Sequence, residues 1–94
     1  MANQAKPAIK MPKMTPAANY RQAYANNVSI RATNWDFLLE FGKIISVSED
    51  GQLNVENEVG IFLSPQQTKA LVTALTQTVG QYEKQFGEIV TQPK

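Results

Sequence analysis

Ser64–Phe86, SPQQTKALVTALTQTVGQYEKQF, is the stretch whose reading decides the fold. Ser64 stands where a helix N-cap should, Pro65 at the first helical position, and Gln67 three residues after the cap. A serine oxygen accepts from an orphan amide of the first turn, and a glutamine at that spacing reaches back to the cap amide. Pro65 loses nothing there, because its missing N–H would have had no partner. The apolar residues then fall at Val72, Leu75, Val79, Tyr82 and Phe86, with Leu71 widening the stripe. Spacings of three and four mark one face of a helix. Gly87 suits the position after the helix end, where glycine takes a left-handed conformation cheaply. Gly80 is a weak point worth roughly 1 kcal/mol against alanine, unless another backbone approaches there. The stripe fits either a helix lying on a sheet or a short self-pairing coil. About three heptads is brief for a coiled coil, so packing on the sheet is the expectation.

The residues before the helix alternate. From Tyr20 to Ala32, Tyr24, Asn26, Val28, Ile30 and Ala32 fall on one face, which predicts a half-buried strand. Thr33-Asn34 predicts a turn, and the run from Trp35 to Val47 predicts a second strand with Trp35, Phe37, Leu39 and Phe41 on its core face. Gly42 marks a bulge or bend, with a change of face for Ile44, Ile45 and Val47. Ser48-Glu49-Asp50-Gly51 predicts the next turn. Leu53–Leu63 predicts a third strand, with Val55, Val59, Ile61 and Leu63 on one side and Glu56, Glu58 and Phe62 on the other. The fold class is α+β: a three-stranded antiparallel meander followed by one long C-terminal helix. Residues 20–87 form the single domain and 88–94 a short, fraying tail.

Residues 1–19 read as an extended arm with three prolines, three lysines and no acid. With Arg21, the first 21 residues carry four positive charges and no negative ones, and the remainder nets −3. Such an arm contacts phosphates, an acidic neighbouring subunit, or only solvent.

The 94-residue chain has a net charge of +1, no cysteine and no histidine. That excludes a disulfide framework, a thiolate metal site and histidine acid–base chemistry. No apolar run approaches the roughly 18 residues a membrane span needs, and no apolar segment follows the first lysines as in a secretory signal. A cytoplasmic protein is expected, without a cofactor, a metal, catalytic residues or a small-molecule substrate.

Asp36 and Glu40 share a strand face but stand roughly 13 Å apart, too far for paired acid–base work. Glu49, Asp50, Glu56 and Glu58 gather around a turn without the spacing of a calcium loop. The glycines are scattered, and no phosphate-binding loop is present. Tyr20, Tyr24 and Trp35, near Arg21 and Arg31, offer a stacking surface for single-stranded nucleic acid, although aromatics in paired strands more often form core.

Three pieces taken together resemble a known family: Tyr24-Ala25-Asn26-Asn27-Val28; Asn34-Trp35-Asp36-Phe37 followed by Glu40-Phe41-Gly42; and Val59 to Gln67 followed by Lys69-Ala70. They resemble a prokaryotic family of small proteins catalogued as a domain of unknown function, number 3467. The resemblance covers about Tyr20 to Phe86 and leaves the arm outside. It implies the strand–strand–strand–helix order and a cytoplasmic protein, and brings no activity, substrate or cofactor.

Roughly 70 residues without a disulfide or metal supply a margin on the order of 3–5 kcal/mol. Oligomerisation is the remedy open to this chain. Leu38 and Phe62, alternating onto the polar face, and Val72, Val79, Tyr82 and Phe86 on the helix are the candidate interface of a homodimer or larger assembly. The expected function is a non-catalytic interaction or assembly protein whose partner is itself. The alternatives are a nucleic-acid accessory protein using Lys6, Lys10, Lys13, Arg21 and Arg31, and a chaperone-like holdase.

Overall fold

A computed structural model describes residues 11–91. It contains β1 (Asn27–Ala32), β2 (Phe37–Val47), β3 (Leu53–Leu63) and α1 (Pro65–Phe86), in the order the sequence predicts. The strands form one antiparallel sheet in the order β1-β2-β3. Residues 11–26 take no regular structure, and 11–24 are exposed. The part of the arm at residues 1–10, including Lys6 and Lys10, lies outside the described residues, as do tail residues 92–94.

The register sorts the side chains. Val28, Phe41 and Val59 align across the sheet, as do Ile30, Leu39 and Ile61, and Ala32, Phe37 and Leu63. Nine apolar residues thus share one face. Arg31, Leu38 and Phe62 align on the other, beside Ser29, Glu40 and Gly60. The first face behaves as expected up to Phe41. There β3 spends one extra residue, Glu58, against β2, so that Phe41 faces Val59 while Gly42 faces Asn57. A Cβ at Gly42 would sit 2.5 Å from the Glu56 carbonyl oxygen and 3.0 Å from Asn57 Cα. Only glycine fits this close approach. Past the bulge, Ile44 pairs with Val55. By the alternation of β2 this places both on the face of Leu38 and Phe62. The expectation that Val55 shares a side with Val59 and Ile61 is therefore corrected by one inserted residue.

Two further expectations are corrected. β1 starts at Asn27, not Tyr20. Asn26 donates its amide to the Gly42 carbonyl (3.0 Å), and its Oδ1 accepts from the Ile44 amide (2.9 Å). Its side chain thereby takes a backbone donor that a longer β1 would have used, and the ladder ends. The β1–β2 turn is also longer than Thr33-Asn34. Thr33 Oγ1 accepts from the amides of Trp35 (3.1 Å) and Asp36 (3.2 Å), and the Thr33 amide donates to the Asp36 carbonyl (2.9 Å). The loop therefore runs from Thr33 to Asp36. Trp35 belongs to it and is 83% exposed instead of lying in the core.

The β2–β3 loop closes on Ser48. Its amide donates to the Gln52 carbonyl (2.8 Å), and Gly51, at φ +87°, donates to the Ser48 carbonyl (2.9 Å). The Ser48 hydroxyl donates to the Asp50 carboxylate, and the Gln52 amide reaches both side chains.

The helix forms where its start signals place it. Ser64 Oγ accepts from the Gln67 amide (3.0 Å), and Thr68 Oγ1 donates to the Ser64 carbonyl (2.8 Å). The cap is one-sided: the Gln67 side chain makes no return bond to the Ser64 amide. Gly87 closes the C-terminus at φ +102°, donating to the Glu83 carbonyl (2.9 Å). Beyond the helix, the Ile89 amide donates to Glu83 Oε2 (2.9 Å).

The expected packing of this helix on the sheet does not occur. No residue of α1 is buried. Ser64 alone connects β3 to α1, in an extended conformation (φ −64°, ψ 157°), whereas connections of about 4–6 residues are usual. With one extended residue at the join, α1 continues away from the end of β3 instead of folding back over the sheet. A 22-residue helix spans about 33 Å and an 11-residue strand about 36 Å, and the longest dimension of the molecule is 68 Å. The radius of gyration is 18.4 Å, against about 12 Å for a compact domain of this length.

Candidate functional site

The consequence of that connection is an apolar sheet face without a lid. Leu39, at its centre, is 7% exposed and is the one buried apolar side chain among the described residues. Around it Val28, Ile30, Val59 and Ile61 are exposed. The sequence hides this surface, because alternation says which residues share a face and not what covers it.

The helix stripe is the second uncovered surface. Val72, Leu75, Val79, Tyr82 and Phe86 are all exposed, and Tyr82 and Phe86 rest on each other with ring centroids 4.8 Å apart. Of the candidate interface residues, the four on the helix therefore lie together on one accessible stripe. Leu38 and Phe62 lie directly opposite each other on the far face of the sheet. Phe62 is 67% exposed, and Leu38 is half-buried. Among the described residues nothing comes within 4 Å of where a Cβ at Gly80 would stand, so no close backbone approach there accounts for that glycine.

Residues Arg21–Ala25 lie against the Gly42 end of the apolar face. Arg21, Ala23, Tyr24 and Ala25, with Phe41, Glu58, Val59 and Ile61, line a cavity of about 210 Å³. Arg21 donates to the Glu58 carbonyl (3.4 Å). Glu58, the inserted residue of the bulge, pairs through its carboxylate with Lys43 (3.4 Å). An ion pair and a short chain segment thus bound the face on this side.

The nucleic-acid candidates are not brought together. Arg31 pairs with Glu40 (2.9 Å) on the polar face, and Arg21 lies at the apolar one. Tyr20, Tyr24 and Trp35 are exposed, against the expectation of a core role. Trp35 sits at the Thr33–Asp36 loop before β2, whereas Tyr24 lies beside the Gly42 bulge at the middle of that strand. Lys13 is exposed in the arm.

Four of the carboxylates are engaged locally. Asp36 accepts from Thr33 Oγ1 (3.1 Å), Glu40 holds Arg31, and Glu58 holds Lys43. The hydrogen bond from Ser48, assisted by the Gln52 amide, holds the Asp50 carboxyl below the usual carboxylate range. Among the described residues no three acidic side chains converge on a point that would hold a metal ion. No described helix is long and apolar enough to cross a membrane.

No curated protein and no solved structure matches the chain. A family model does, and its match runs over residues 1–91, so that the arm, expected to lie outside the resemblance, falls within it. The chain belongs to the family described as "Protein of unknown function (DUF3467)".

Proposed function

We propose that this protein is a non-catalytic, homo-oligomeric assembly protein whose working form is built from copies of itself. The observation that carries this reading is the pair of uncovered apolar surfaces around a single buried side chain, Leu39. The chain exposes 8849 Å², against about 5,400 Å² for a compact monomer of its mass. That excess is total surface, and the apolar side chains exposed within it, among them Ile30, Ile61, Val72 and Phe86, gather on two patches of the kind that mark interaction sites. The hydroxyl–carboxylate contacts among the described side chains, Ser48 with Asp50 and Thr33 with Asp36, lie in exposed turns where they close the loops, which supports binding over catalysis.

Light scattering after size-exclusion chromatography tests the reading directly. A dimer or larger species at micromolar concentration is the expected result, and a folded monomer there rules it out. A second reading, a nucleic-acid accessory role, draws on the basic arm and on Tyr20 and Tyr24 exposed beside Arg21. It requires binding to single strands that weakens steeply with salt and is lost when Lys13 and Arg21 are replaced by alanine. No binding at low salt removes it.

A further inference from the structure

We infer that the occupant of the apolar sheet face is the helix α1 of a second copy of this chain, and that the exchange is reciprocal. This rests on the homo-oligomeric reading and specifies its interface.

The inference starts from what Ser64 forbids. The stripe on α1 and the face around Leu39 belong to one chain, and each has the shape of the other's partner. A helix laid on a three-stranded sheet is a common two-layer core. One extended residue between β3 and α1 prevents that core from forming within the chain. An element held away from its own site by a short connection, with its site left open, is the situation that exchange between protomers resolves.

The dimensions agree. From Val72 to Phe86 the stripe runs about 21 Å. The face it must cover is about 13 Å along β2 from Phe37 to Phe41 and about 10 Å between the outer strands. A helix crossing it on the diagonal covers all three strands.

The alternatives leave surface wet. Two sheet faces stacked together would cover Leu39 and its neighbours but abandon both stripes. Two helices paired along their stripes would cover those but leave both sheet faces in water. Only reciprocal exchange buries both surfaces of both chains, in one two-fold arrangement. The surface in excess of a compact monomer is about 3,400 Å² per chain, some of it in the extended residues 11–26. A stable dimer needs about 800 Å² from each partner.

The sequence contains no cysteine, which makes directed cross-linking clean. Val79→Cys or Leu75→Cys is placed in one copy of the full chain and Ile61→Cys or Ile30→Cys in a second copy distinguished by a mass tag. The two are mixed, refolded together and oxidised. The expected product is a covalent dimer that contains both tags, formed in at least one of the four pairings, while each single variant alone stays uncross-linked. Cross-linking of Val79→Cys or Leu75→Cys with itself, in the absence of mixed product, overturns the inference in favour of helix pairing. A Val79→Cys/Ile61→Cys double variant that closes within one chain overturns it in favour of a folded-back helix. An oligomer by light scattering without any mixed product overturns the exchange and leaves the homo-oligomeric reading standing. A monomer removes both.

Discussion

The sheet around Leu39 and the helix after Ser64 are both built by clear local rules, yet they stand in opposite positions. In the sheet each rule is completed by a partner within the chain. Val28, Phe41 and Val59 meet in register, Asn26 clamps the bulge, and Leu39 is buried. In the helix the cap, the stripe and the C-terminal glycine are all present, and no residue is buried. Most helical stability in proteins comes from packing an apolar face, and α1 packs none against its own chain. The difference teaches that satisfied hydrogen bonds do not finish a fold. The sheet has a small core of its own, and the helix depends on a surface that its own chain does not bring to it.

That contrast is open to attack, most strongly at Leu39. Leu39→Ala should cost about 2–5 kcal/mol, comparable to the whole margin of a domain this small. Urea unfolding followed by far-ultraviolet circular dichroism should show a lost or much-lowered transition. A loss below about 1 kcal/mol would mean that the sheet, like the helix, has no core of its own. Gly42→Ala comes next. The added Cβ meets the Glu56 carbonyl oxygen at 2.5 Å, and the strand must shift, at a cost of about 1–3 kcal/mol. Hydrogen exchange should quicken first at the Ile44 amide, which depends on Asn26 beside the bulge. Unchanged protection there would show that the bulge is not a fixed point.

Ser64→Ala probes the other side of the comparison. Loss of the cap should cost about 1 kcal/mol, and the helical signal should recover as protein concentration is raised, because assembly supplies what the cap no longer does. A helical signal independent of concentration would show that α1 stands without a partner. The smallest effect is expected at Asp50. Its carboxyl is held below the usual range by Ser48 and Gln52. The stabilisation is therefore present above the unfolded value near 3.9 and is lost as pH falls through the lowered folded value. Asp50→Asn should flatten this acid limb slightly in a pH series of urea midpoints. An identical limb in both proteins would remove the Asp50 bond from the account.

The order of elements, the helix cap, the bulge at Gly42 and the Asp-Gly turn were legible because each is a local matter, set by a few neighbouring residues. Trp35 departs from its expected core position because the four-residue loop depends on Thr33 Oγ1 reaching two amides, a geometry that alternation does not encode. β1 starts later than its alternation predicts because a side chain, Asn26, ends the ladder in place of a backbone. Val55 lies on the face opposite to the one its alternation predicts because one inserted residue, Glu58, inverts the pairing as far as a second register shift at Ile44–Ser46. The helix half of the candidate site was legible from spacing alone. Its sheet half was not, since the same alternation describes a buried face and an open one.

The sequence by itself determined which residues share each strand and helix face, because backbone periodicity fixes that locally. Only the tertiary structure decided what those faces meet. The deciding feature is the single residue Ser64: one extended link carries the helix off the end of β3 and leaves two matching apolar surfaces of one chain unable to reach each other.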